Sequence, residues 1–303
     1  PSKSVVISMN DFRNACRMHS NRKLENLSQK IPLKYSMGDI ILPDSQKNQL
    51  IEVIDHVNYK QLVMGEWGFD HKVSLGKGIN VLFHGASGTG KTMAAEIIAN
   101  ELYLDLYKVD LAAVVSKYIG ETEKNLSKIF QEAETSNAIL LFDEADALFG
   151  KRSAVKDAHD RFANIEISFL LQKMEEYEGI CILSTNLMRN IDDAFTRRLR
   201  FIIEFPMPET EDRWKIWKAI WPEKIKFEAD VDFEFLASQF EFSGGNIRNV
   251  ALNSAFYAAK NGKAVRMEHL VLATRRELQK MGRICVEDDF SPYHFSEHGE
   301  VDA

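Results

Sequence analysis

Little in this sequence points to metal, disulfide or membrane chemistry. Its 303 residues include three cysteines, Cys16, Cys181 and Cys285, too few and too far apart for a disulfide framework. Their odd number suits reduced thiols in a cytoplasmic setting. The eight histidines show no metal-ligand spacing and no His-Glu-x-x-His pair occurs, which excludes a recognisable zinc protease. No apolar run approaches the roughly 20 residues a membrane helix needs, and no secretory leader is evident at the start. The first residue is Pro1 rather than Met, so the expectation is a fragment whose N-terminal region is missing. A formal charge of −7 offers no broad basic footprint, which disfavours nucleic acid as a partner. What remains, 45% hydrophobic and 27% charged, is ordinary globular composition with length for one large domain and a smaller one.

One stretch organises the rest. Gly85-Ala86-Ser87-Gly88-Thr89-Gly90-Lys91-Thr92 follows the apolar run Ile79 to Phe83 and enters a helical pattern at Met93. Strand, glycine-rich turn and helix in that order form a phosphate loop. Its glycines let several backbone N–H groups turn toward one point, and the helix N-terminus adds partial positive charge there. Lys91 would reach the β- and γ-phosphates, and the Thr92 hydroxyl would hold Mg²⁺. The pattern predicts a nucleoside triphosphate, ATP or ADP with Mg²⁺, bound along residues 85–93.

Further along, the apolar run Ala138 to Phe142 has the look of a strand buried on both faces, and it ends in Asp143-Glu144-Ala145-Asp146. Acids at the end of a buried strand are costly unless a cation or solvent meets them. Asp143 is therefore the candidate Mg²⁺ carboxylate and Glu144 the base that polarises an attacking water; a plain helix N-terminus is the bland alternative. The strand Ile180 to Leu183 ends in Ser184-Thr185-Asn186, which makes Asn186 a candidate to orient that water. Arg197-Arg198-Leu199-Arg200 leads into the strand Phe201 to Phe205. An arginine at a γ-phosphate can be worth about 10³–10⁵ in rate; spacing alone leaves open whose site these arginines complete.

Strands at Ile79, Leu106, Ala138, Ile180 and Phe201 alternate with helical patterns as far as Pro206-Met207-Pro208, which reads as a hinge. Thr122 is a possible cap for the helix running to Glu134. Beyond the hinge only helical periodicity is seen, and Asp232, the Ser243-Gly244-Gly245-Asn246 run and Gly282 mark helix ends. The expected division is an arm or the end of a missing N-terminal region at 1–34, an α/β domain at 35–206, a helical lid at 207–284 and an acidic, frayed tail at 285–303.

Taken in order from about Tyr35 to Met281, these motifs resemble the AAA+ ATPases. The resemblance implies an α/β phosphate-loop fold, a five-stranded parallel sheet flanked by helices and followed by a small helical lid. It also implies a homo-oligomeric ring, usually of six subunits, whose active sites are completed by a neighbour's arginines. Arg197 and Arg200 fall on the arginine-finger positions and Arg198 on a variable one. The Thr196 to Leu199 run lacks the usual Pro-Gly, and Phe201 is not followed by the usual acid. Gly245-Asn246-Ile247-Arg248 resembles a sensor motif in which Arg248 touches nucleotide from its own subunit's lid. Lys117-Tyr118-Ile119-Gly120 resembles the central-pore loop that grips an extended polypeptide, and 151–160 would be a second pore-facing loop. Narrower runs, Ser116 to Asn125, Asp143 to Ser153 and Trp214 to Trp221, are similar to the AAA+ ATPases of bacterial contractile injection systems. Three functions follow: an ATP-driven protein remodeller, a nucleic-acid motor, or a slow assembly switch. Acidic Glu121 and Glu123 beside Tyr118 argue against the second.

Overall fold

Apolar runs too short to be helices become strands, and all five expected strands form. The computed structural model describes residues 28–72, 76–114, 121–145, 168–188, 193–260, 262–283 and 286–293. Contacts divide the chain into two units: residues through Gly85 with Lys91–Phe205, and Ala86–Gly90 with the chain from Pro206 onward.

The first unit is built on a six-stranded sheet. Its strands are β1 (Ser28–Ile31), β2 (Ile79–Gly85), β3 (Leu106–Val109), β4 (Ile139–Phe142), β5 (Ile180–Thr185) and β6 (Phe201–Phe205), in the order β1-β3-β4-β5-β2-β6. Strands β2 to β6 are mutually parallel. Strand β1 runs antiparallel to β3 along one edge, adding a sixth strand to the five expected parallel ones. Its Ser-Gln-Lys-Ile sequence carries no apolar run; it is held instead by its ladder and by Lys30, whose ammonium sits 2.6 Å from buried Asp105.

Alternate residues of the parallel strands feed two cores, as the two-residue strand period requires. Leu82, Tyr107, Leu140, Phe142, Cys181 and Leu183 face one core. Val81, Phe83, Leu106, Ile139, Leu141, Ile182 and Phe205 face the other. Helix α1 (Asp44–Asn58) and α2 (Lys91–Glu101) cover this second face through Leu50, Val53, Ala94, Ile97 and Ile98. On the first face lie α3 (Glu121–Ser136), through Leu126, Ile129 and Phe130, and helical residues 168–176, through Leu170 and Met174. Thr122 is buried inside the first turn of α3 rather than standing outside as its cap. Among the described residues no helix is long and apolar enough to cross a membrane.

The second unit is helical: α4 (Thr210–Ala219), α5 (Phe233–Gln239), α6 (Gly244–Lys260) and α7 (Met267–Lys280). Asp232 caps α5 by accepting from the Phe235 N–H at 2.9 Å, and α6 opens with Asn246 N–H reaching Ser243 Oγ. Trp217, Leu236, Phe242, Ile247, Val250 and Leu270 form the core. The expected frayed tail is, in part, packed. Phe290 is fully buried, its ring 5.2 Å from that of Phe240, and Tyr293 donates to Asp232 at 3.1 Å. An aromatic ring with a waiting apolar slot outweighs the acidic composition around it. Phe290→Ala is therefore expected to cost about 3 kcal/mol in urea denaturation of the helical unit; a loss under about 0.5 kcal/mol, the size of an ordinary surface change, would mean the segment contributes no core.

Candidate functional site

Parallel register decides which strand ends meet. Phe142 pairs with Leu183 and His84 with Thr185. One residue further, Asp143 stands level with Ser184 and Gly85 with Asn186, so the ends of β4, β5 and β2 form one row. Polar groups leaving the carboxyl ends of adjacent parallel strands make the crevice where ligands of such sheets bind.

On one side of this row Lys91, the first residue of α2, turns back beneath the loop. Its ammonium donates to the Gly85 carbonyl at 2.7 Å and to Asn186 Oδ1 at 2.9 Å, and only 7% of the residue is exposed. The phosphate-loop lysine and the strand-end amide are thus joined by a direct hydrogen bond. Gly85 and Gly88 have φ of 142° and 78°, and a Cβ on Gly85 would lie 2.1 Å from the Phe205 carbonyl oxygen. No side chain is tolerated there without moving β6. Ala86, Ser87 and Gly88 are exposed, and Thr92 and Met93 are half-buried at the helix start. By its contacts the loop groups with the helical unit: the Gly245 N–H donates to the Gly88 carbonyl at 2.9 Å. Ser243 Oγ stands 2.6 Å from where a Gly88 Cβ would be, so glycine is required at that approach too.

At the other end of the row Asp143 is clasped. Its Oδ2 lies 2.6 Å from the Lys108 ammonium and its Oδ1 accepts the Glu144 N–H at 3.1 Å. Burial pushes this carboxyl up, but the Lys108 hydrogen bond and charge, the Ser184 hydroxyl and the Glu144 amide together hold it below the usual carboxylate range. It is an anion at neutral pH. Glu144 follows with φ of 53°, a left-handed conformation costly for a residue with a side chain, and its carboxyl is exposed. The next amide, Ala145 N–H, ties the turn to the Ser184 carbonyl at 2.9 Å, so neighbouring β5 holds the strained residue in place. Thr92 and Asp143 supply a hydroxyl and a carboxylate, hard oxygen donors of the kind Mg²⁺ accepts. Among the described residues no group of three or more His, Cys, Asp or Glu could cage a metal.

The three arginines separate. Arg198 pairs with Glu175 at 3.0 Å. Arg200 donates its guanidinium to the Gly76 carbonyl at 3.0 Å and its N–H to the Asn80 carbonyl. Arg197 is exposed and makes no ion pair among the described residues. Arg248 is exposed one turn into α6. Lys117, Tyr118, Ile119 and Gly120 lie outside the described residues, as do 151–160. Sequence reasoning missed Lys108 and Ser184 as partners of Asp143. A charged residue between buried Tyr107 and Val109 on a short strand was the available signal for the first.

Residues 81–207 match the model of the ATPase family associated with various cellular activities, AAA. Over these residues the chain is similar to the AAA ATPases. Over 205 residues the chain is 33% identical to a proteasome-activating nucleotidase of Aeropyrum pernix, covering 65% of the chain and 50% of the relative. A proteasome-activating nucleotidase of Sulfurisphaera tokodaii is 30% identical over 242 residues, 77% of the chain and 60% of the relative. The 26S proteasome regulatory subunit 10B of Dictyostelium discoideum is 29% identical over 267 residues, 86% and 66%. The chain therefore spans between 50% and 66% of the length of these relatives.

The Asp143 environment yields a pH prediction. A carboxyl whose folded value lies below its unfolded 3.8 adds stability that is complete above about pH 5 and is lost as pH falls through the folded value. In urea denaturation the wild type should exceed Asp143→Asn by a margin that shrinks between pH 6 and pH 3. A margin that stays constant or grows on acidification would contradict this environment.

Proposed function

We propose that this chain hydrolyses ATP at the row formed by Gly85–Met93, Asp143, Glu144 and Asn186, and uses the turnover to remodel or unfold a protein client as part of a cytoplasmic homo-hexameric ring. The observation that carries the reading is the convergence of the Lys91 ammonium, the Asn186 amide and an anionic Asp143 on adjacent parallel strand ends. The AAA match and relatives named as proteasome-activating nucleotidases support the protein-directed form of it.

In this reading the loop N–H groups and Lys91 hold the β- and γ-phosphates, and Thr92 and Asp143 would hold Mg²⁺, which neutralises phosphate charge when bound. Glu144 accepts a proton from a water whose oxygen attacks the γ-phosphorus; the bond from that phosphorus to the β–γ bridging oxygen breaks and ADP leaves. Asn186, fixed by Lys91, orients the water. Arg248 contacts nucleotide from the lid. Arg197, exposed and unpaired with any carboxylate among the described residues, is the better placed of the two finger candidates to reach a neighbour's γ-phosphate; Arg200 has its guanidinium on a carbonyl of its own subunit. Lys117, Tyr118, Ile119 and Gly120 would line the pore and grip the client. The likeness of Ser116 to Asn125 and Asp143 to Ser153 to contractile-injection ATPases supports a component of such a particle as that client.

Steady-state hydrolysis tests the reading. Glu144→Gln should lower kcat by about 10²–10⁴ while nucleotide binding persists. Arg197→Ala should lower it by about 10³ or more, and adding Glu144→Gln subunits to Arg197→Ala subunits should restore turnover, because a mixed interface joins an intact base to an intact finger. Hydrolysis that is independent of protein concentration and unchanged by Arg197→Ala would leave a monomeric nucleotide switch.

A further inference from the structure

The reading above gives no role to Lys108, the cation nearest its acids. Lys108 sits on β3 opposite Leu141 of β4, with buried residues on both sides of it in sequence. Its side chain is 38% exposed and reaches to Asp143, which is 15% exposed. The ammonium takes Oδ2 at 2.6 Å while the Glu144 amide takes Oδ1, so both oxygens of the carboxylate are engaged from within the chain.

We propose that Lys108 is a positioning residue that reserves Asp143 for a divalent cation arriving with nucleotide. This rests on the reading of Asp143 as the metal carboxylate. A dication approaching Asp143 either displaces the ammonium or bears its repulsion, and both weaken metal binding to the protein's own oxygens. Phosphate oxygens supply the additional negative charge that offsets the repulsion, so the metal is admitted with a triphosphate and poorly without one. A lysine placed only to neutralise a buried acid would have the same geometry, but its removal would leave the carboxylate harder to ionise and metal affinity no stronger. The two roles predict opposite signs.

The probe is Mn²⁺, measured by electron paramagnetic resonance on nucleotide-free protein, where no phosphate offsets the repulsion, and for comparison on protein loaded with a non-hydrolysable ATP analogue and freed of unbound nucleotide. Lys108→Met should bind Mn²⁺ about tenfold more tightly than wild type, from the lost repulsion between a unit charge and a dication a few ångströms apart. Lys108→Arg, which keeps the charge, should match wild type, and Asp143→Asn should bind more weakly. Should Lys108→Met fail to fold, Lys108→Gln, which keeps a donor but no charge, carries the same expectation. Equal or weaker Mn²⁺ binding in the uncharged variants, with Asp143→Asn still impaired, overturns the role of Lys108 alone. Wild-type affinity in Asp143→Asn removes the metal carboxylate itself and this proposal with it.

Discussion

Charges brought to the edge of a buried parallel sheet must be compensated on the spot, and the organisation of this chain follows from that constraint. Apart from buried Asn80, which donates to the Met174 carbonyl, strands β2, β4 and β5 are apolar until their carboxyl ends because helices cover both faces. Their polarity is displaced to their carboxyl ends, where parallel pairing lines up Gly85, Asn186, Ser184 and Asp143. An isolated ammonium or carboxylate there would cost several kcal/mol. Lys91 is met by a carbonyl and an amide, and Asp143 by Lys108, Ser184 and a backbone N–H.

The phosphate loop also joins the helical unit in physical terms. Gly88 is pinned by the Gly245 N–H, at the first turn of α6. That turn is braced from behind: Asn246 donates to Glu277 at 2.8 Å, Asn249 to the same carboxyl at 3.2 Å, and Lys280 to both of its oxygens. Burial pushes the Glu277 carboxyl up, and these three donors hold it down overall. A network centred on the buried Glu277 carboxyl specifies one arrangement of α6 against α7, and hence one placement of the residues that touch Gly88.

Much of this was legible in the sequence, because the five parallel strands are short and mainly apolar, interrupted only by Asn80, Lys108 and Glu204 ahead of their ends, and the loop needs its glycines at fixed offsets. Asn186 was legible as a strand-end amide, although its bond to Lys91 depends on β5 lying beside β2, which strand order alone settles. Strand β1 was not legible: Ser-Gln-Lys-Ile has no period, and pairing with β3 and the Lys30–Asp105 contact are tertiary. Lys108 was hidden for the same reason, since its partner lies 35 residues along the chain. The arginines could be found, but only the family resemblance set Arg198 apart; the carboxylate and carbonyl that take Arg198 and Arg200 come from distant segments. Local patterns disclosed the strands and the loop, and the pairing of charges required the fold.

The most direct test of the account is a calorimetric titration of ATP into the wild type and into Lys91→Ala, in the presence of Mg²⁺ and at matched thermal stability. If the Lys91 ammonium is held for phosphate, the wild type binds saturably and Lys91→Ala binds at least about tenfold more weakly, as expected for loss of a charge-assisted contact. Equal affinity in the two proteins would mean that Lys91 is a structural cation and that the row of strand ends is not a phosphate site.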